Sequence, residues 1–165
     1  MIAPSPSNAL IVGYGNTLRG DDGIGPAAAQ ALATEAAVKG ADVVICHQLV
    51  PELAERLAAA DLAVFIDAVA GLQPGRIVIT RLQTASAPDS GLVHHVSPQA
   101  LLAMSTILYG RSPAAFLVAV GAGSLALGEG LSAPVAAALP EVVAAVCRLV
   151  VEHLGEGCAE ALRSR

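Results

Sequence analysis

Residues 9–25 read ALIVGYGNTLRGDDGIG, and this stretch decides the fold. Ala9-Leu10-Ile11-Val12 is a short apolar run that predicts a buried strand, ended by Gly13-Tyr14-Gly15. Pro26 to Val38 is rich in alanine, starts with proline at a first-turn position and is closed by Gly40, which predicts a helix. Asp42 to Cys46 is a second β-branched strand. Pro51-Glu52-Leu53 opens a second helix that runs to about Ala60. Leu62 to Ile66 is a third apolar strand, with Asp67 directly after it. Strands alternating with helices predict an α/β fold, a three-layer α/β/α sandwich around a five-stranded, mostly parallel sheet.

The second half departs from the pattern once. Only the turn Gly71 to Gly75 separates the third strand from a fourth at Arg76 to Thr80, too little chain for a parallel crossover. The fourth strand is therefore expected antiparallel, at an edge. A polar loop from Thr84 to Gly91 leads to His94-His95. Ser97-Pro98 then reads as an N-cap with proline at the first helical position, starting a helix to about Tyr109. Phe116 to Val120 is a fifth strand and the glycine-rich stretch Gly121 to Gly130 a loop. Ser132 and Pro134 open a last helical stretch, expected to break or kink at Pro140 and to end near Gly155. One domain is expected over residues 1–165.

Composition removes several classes of function. With 55% hydrophobic and 14% charged residues, the chain is too apolar for disorder. Its most apolar stretch, Leu131 to Leu154, is interrupted by Pro134, Pro140, Glu141, Arg148 and Glu152, so no membrane span is expected. A net charge of −5 and 2% aromatic residues argue against nucleic acid, which demands a basic footprint and stacking surfaces. Met1 to Ser7 has neither the basic nor the apolar region of a secretory signal. Cys46, Cys147 and Cys158 have no metal or redox spacing and make an odd number, so a reducing, cytoplasmic setting is expected.

In such a sheet, ligands bind beyond the carboxyl ends of the strands, where strand order reverses. The polar residues at those ends are Asn16, Asp21, Asp22, His47, Asp67 and the loop with His94. A dinucleotide site fits them poorly. The third glycine of G-x-G-x-x-G is replaced by Leu18, and the second strand ends in Cys46-His47 instead of a ribose-binding acid. Two carboxylates would also repel a pyrophosphate. Helix capping explains one of Asp21 and Asp22 well, but less well a pair between two glycines. Asp67 alone could serve turn chemistry, and a loop histidine alone is usually surface decoration. Taken together, two carboxylates and an imidazole at one sheet end suit a borderline divalent ion such as zinc or nickel. Conventional nucleophile motifs (G-x-S-x-G, S-x-x-K, H-E-x-x-H) are missing. Cys46 reads as core and Ser97 as a helix cap.

The string Gly13-Tyr14-Gly15-Asn16-Thr17-Leu18-Arg19-Gly20-Asp21-Asp22-Gly23-Ile24-Gly25, with Asp67, His94 and the later Gly128 to Ser132 segment, resembles the maturation endopeptidases of nickel–iron hydrogenases over essentially the whole chain. The resemblance implies a protease that removes the C-terminal extension of a hydrogenase large-subunit precursor after nickel insertion. It implies Asp22, Asp67 and His94 as metal ligands and catalytic residues. The spacing from His94 to Ser97 favours that histidine, with His95 as the alternative. The nickel would come with the substrate, and zinc or cadmium could take its place in a crystal. One departure stands out. Many members carry an acid followed by two glycines after the second strand, whereas this chain has Cys46-His47-Gln48-Leu49-Val50-Pro51-Glu52, similar to a subgroup with H-Q-L-x-P-E. That makes His47 and Glu52, with Asn16 and Asp21, candidates for the substrate groove. A nickel-sensing chaperone or checkpoint module that binds the precursor without cutting it would use the same ligands. A small flavodoxin-like or dinucleotide-binding protein is a third reading. The oligomeric state and the hydrogenase served are left open.

Overall fold

The computed structural model describes residues 8–84 and 96–155. Five strands form one sheet: β1 Ala9–Tyr14, β2 Asp42–Cys46, β3 Leu62–Val69, β4 Ile77–Leu82 and β5 Ala114–Gly121. Their order is β2-β1-β3-β5-β4. All neighbours run parallel except β4, which pairs antiparallel with β5 from Ile77↔Val120 to Leu82↔Ala115. The short turn after β3 thus dictates the antiparallel edge, as its length requires.

Four helices cover the two faces: α1 Ile24–Leu32, α2 Leu53–Ala59, α3 Pro98–Tyr109 and α4 Ala133–Leu154. Side chains of a strand alternate between faces, and the core splits accordingly. Ala9, Ile11, Leu62, Val64 and Ile66 face α1 and α4, with Ile24, Leu32, Val142 and Val146. Leu10, Val12, Ala63 and Phe65 face α2 and α3, with Leu53, Leu57, Leu101 and Leu102. The three layers are those expected.

Several boundaries move. The first helix stops at Leu32, and Ala36–Val38 is a separate 3-10 turn. β3 continues past Ile66 to Val69, because β5 offers partners as far as Gly121; Asp67 is therefore a strand residue, not the residue after one. Pro140 neither breaks nor ends α4, which runs unbroken through it. Its ring lies on the exposed side of the helix, where water can reach the carbonyl that the proline leaves unpaired. By length and composition α4 is apolar enough to cross a membrane, contrary to expectation. Its apolar face, Val135, Val142, Val146 and Val150 among others, is packed into the core of this sheet. Ser97 caps α3 as read, accepting from the Ala100 backbone N–H at 3.1 Å.

The sheet and α1 meet backbone to backbone. A Cβ on Gly13 would strike the Gly25 carbonyl and come within 2.6 Å of Ala29 Cβ, and one on Gly25 would sit 2.6 Å from the Ile66 carbonyl oxygen. Two glycines of the motif therefore serve helix–sheet packing. Gly13→Ala should lower stability by about 1–3 kcal/mol, the cost of overpacking a filled core. Denaturant unfolding of the variant checks this, and an unchanged midpoint would contradict the packing account.

Candidate functional site

Strand order reverses between β1 and β3, since β2 lies on one side of β1 and β3 on the other. At the carboxyl ends of these strands is a cleft of about 330 Å³. Tyr14, Asn16, Arg19, Asp22, His47 and Asp67 line it, together with Gly15, Gln48, Leu49 and Val96. Both acids predicted as ligands thus come to one place from two strand ends.

Asp22 is carried by a 3-10 turn, Gly20–Gly23, that runs directly into α1. Its Oδ2 accepts the Asn16 backbone N–H at 2.6 Å. The chain must fold back sharply for this, and Gly15 permits it: its φ is +147°, and the Asp22 carbonyl lies where a Cβ would be. Asn16 in turn accepts the Leu18 backbone N–H on Oδ1 at 2.9 Å, which closes the loop on itself.

Asp67 points to the α2/α3 side of the sheet, in step with Ala63 and Phe65. Its Oδ2 accepts the Tyr14 hydroxyl at 2.9 Å. Burial pushes the Asp67 carboxyl up to about 6; the Tyr14 hydrogen bond and the Ala68 backbone N–H oppose the rise, and the Asp22 charge adds to it. The Tyr14 phenol is raised well above its ordinary value, first by burial and then by the Asp67 charge. It is a neutral donor throughout the physiological range.

Asp21 has a different task from Asp22. It is fully buried, with 0% of its surface exposed. Its Oδ2 accepts the backbone N–H groups of Gly123 and Ser124 at 2.7 and 2.9 Å and the Ser132 hydroxyl at 2.7 Å. Its Oδ1 accepts the Ser132 backbone N–H at 2.6 Å. Burial would raise this carboxyl, but the hydrogen bonds from Ser132, Ser124 and Gly123 outweigh it and hold it below the usual range. Asp21 was expected in the substrate groove, and the structure corrects this: it fastens the glycine-rich loop and the start of α4 to the turn that carries Asp22. Neither acid accepts a backbone N–H of the helix that follows it; Asp21 instead takes the N–H of Ser132, at the start of a helix more than a hundred residues away.

Of the other expected groove residues, Asn16 and His47 line the cleft. Glu52 sits exposed at the N-cap of α2 and is not among the cleft residues. His94 and His95 lie outside the described residues, and among the described residues no three His, Cys, Asp or Glu side chains gather as a metal site. Cys46 ends β2 half-buried, and burial pushes its thiol up, the opposite of an activated nucleophile. Tyr14, Arg19 and Gln48 escaped the sequence reading. Tyr14 had one available signal: it follows Leu10 and Val12 in alternation, so it faces the side that Asp67 faces.

Two stability measurements test these environments. In the presence of a chelator, Asp67→Asn should melt above the parent at pH 7.5. The folded-state carboxyl titrates near 6 and an unfolded one near ~3.9, so its contribution is fully present below the lower value and lost as pH rises through the higher. The gap between variant and parent should therefore close toward pH 4; a gap independent of pH would contradict it. Asp21→Asn places an amide against four donors and should cost about 3 kcal/mol, from hydrogen bonds to a charged group. Equal stability of variant and parent in urea would refute the clamp.

No protein-family model matches the chain, and no curated protein does. Solved structures do. A [NiFe] hydrogenase maturation protease, HybD from Thermococcus kodakarensis, is 26% identical, with a TM-score of 0.66 over 86% of this chain and 98% of that one. A hydrogenase 2 maturation peptidase from Thaumarchaeota archaeon SCGC_AB-539-E09 is 25% identical, with a TM-score of 0.67 over 87% and 98%. The hydrogenase maturating endopeptidase HybD of Escherichia coli, at 24% identity, shares the fold with a TM-score of 0.68 over 88% and 93%.

Proposed function

We propose that this chain is a member of the [NiFe] hydrogenase maturation endopeptidases, which its motif resembles and whose fold it shares, and that it removes the C-terminal extension of a hydrogenase large-subunit precursor after nickel insertion. The observation that carries this reading is the meeting of Asp22 and Asp67 in one cleft at the reversal point of the sheet. Two carboxylates with an imidazole make a donor set that suits a borderline divalent ion. The third ligand is assigned to His94, with His95 as the alternative. Val96, which follows them in the chain, lines the same cleft, and this supports drawing the imidazole from that segment.

The nickel is read as part of the substrate, and zinc or cadmium as ions that could replace it. Held there, it would polarise the scissile carbonyl or lower the pKa of a water. The residues of the chain bind and orient. The Asn16 backbone N–H holds Asp22, and His47 and Asn16, which line the cleft, are read as meeting the peptide. Leu18, next in the chain to the cleft residue Arg19, is 54% exposed and Leu127 is 86% exposed, on loops joined by the Arg19↔Gly128 bridge. Exposed apolar side chains at that place suit a protein substrate better than a small molecule. The partner in this reading is the precursor, and the setting it supposes is the cytoplasm.

The test is incubation of nickel-loaded precursor with the protein, followed by mass spectrometry of the product. Loss of a C-terminal peptide is expected; intact precursor, bound but uncut, would favour the checkpoint reading. Asp22→Ala should abolish cleavage by protein that is still folded, with whatever loss of melting temperature follows from freeing the Asn16 N–H; the cleavage assay on the folded variant decides. If Asp22 only secured its turn, the variant would lose about 0.5–2 kcal/mol, as lost caps do, and would still trim the precursor.

A further inference from the structure

The two acids of the cleft are held in different ways. Asp22 is held by a backbone N–H, a donor supplied by the loop whatever side chains it carries. Asp67 is held by one side chain, the hydroxyl of Tyr14. The register explains how they meet. Gly13 pairs with Ile66 in the parallel ladder, so the next residues, Tyr14 and Asp67, stand side by side on one face. The Tyr14 ring packs against the core of the α2/α3 layer, and with two side-chain torsions it presents its hydroxyl from a fixed place. A carboxylate gripped at one oxygen keeps its plane and can offer the other oxygen to a cation.

From this geometry we propose that Tyr14 is the positioning residue of the site, orienting Asp67 to receive the metal; the proposal rests on the reading of Asp67 as a ligand. Hydrogen-bonded partners of metal ligands typically contribute 10- to 100-fold in affinity or activity. A ring that merely fills space would be replaced fully by phenylalanine, because Phe keeps the packing and loses only the oxygen.

The experiment compares the parent, Tyr14→Phe, Asp67→Asn and the double variant. Zinc or nickel alone is titrated into each by calorimetry, and cleavage of nickel-loaded precursor is followed as kcat and KM. Tyr14→Phe should melt close to the parent, bind metal roughly 10- to 100-fold more weakly, and lose kcat with little change in KM. The double variant should be no worse than Asp67→Asn, since Tyr14 acts only through that carboxylate. Parent-like metal affinity and kcat in Tyr14→Phe would overturn the proposal and leave the ligand assignment standing. A further loss in the double variant would show that Tyr14 acts by another route, which also overturns it. Parent-like binding and cleavage in Asp67→Asn would instead remove the ligand assignment, and the proposal with it.

Discussion

The close approach of α1 to the ends of β1 and β3 is the constraint on which the rest of the site depends. Gly13 and Gly25 let helix and sheet touch through their backbones, so the first turn of α1 lies on the strand ends instead of a side chain's width above them. The 3-10 turn that precedes α1 is thereby brought down onto the sheet edge. Asp22, on that turn, reaches the Asn16 N–H and the same cleft as Asp67. An alanine at either glycine would lift the turn, and the acid with it. The spacing of glycines in the motif is thus a rule about distance between backbones, and the cleft follows from it.

Adjacent residues on this turn divide structure and chemistry between them. Asp21 points inward and joins three parts of the chain: its own turn, the loop at Gly123–Ser124 and the N-terminus of α4 at Ser132. Its charge is matched donor for donor, which makes burial tolerable. Asp22 points to the cleft, and Asp67 stands near enough for the Asp22 charge to raise its carboxyl. Evenly matched charge marks the residue that holds the fold. Like charge facing like charge in a cleft is the arrangement on which the proposed cation site rests.

Much of this was legible because local chemistry determined it. The antiparallel edge followed from the shortness of the Gly71–Gly75 turn, and the start of α3 from Ser97-Pro98. The cleft residues Asn16, Asp22, His47 and Asp67 followed from the rule that sites form beyond carboxyl strand ends. What stayed hidden depended on contacts distant in sequence. The partners of Asp21 lie 102 to 111 residues away, so its local context could show an acid near a helix but not which helix it serves. The extra length of β3 was supplied by β5, and the continuity of α4 through Pro140 by packing of its opposite face. Tyr14 was passed over because an aromatic ring at a strand end reads as core, which its ring in part is.

The balance of costs at the cleft also separates a binding site from a structural ion pair. Asp22 and Asp67 are not matched donor for donor as Asp21 is: Asp22 has one backbone donor, Asp67 has a phenol and its neighbouring N–H, and Arg19 of the same cleft turns its Nε to the Leu125 carbonyl. Burial and mutual repulsion hold the Asp67 carboxyl high, so keeping it ionised at neutral pH works against folding. A divalent cation reverses that sign, because it favours the ionised form of both groups at once. Under the proposed function, the free energy that folding gives up in gathering the two acids would be returned on binding the cation. If the cation is the precursor's nickel, a precursor without metal leaves the repulsion in place, and the cleft then favours the loaded substrate through charge alone.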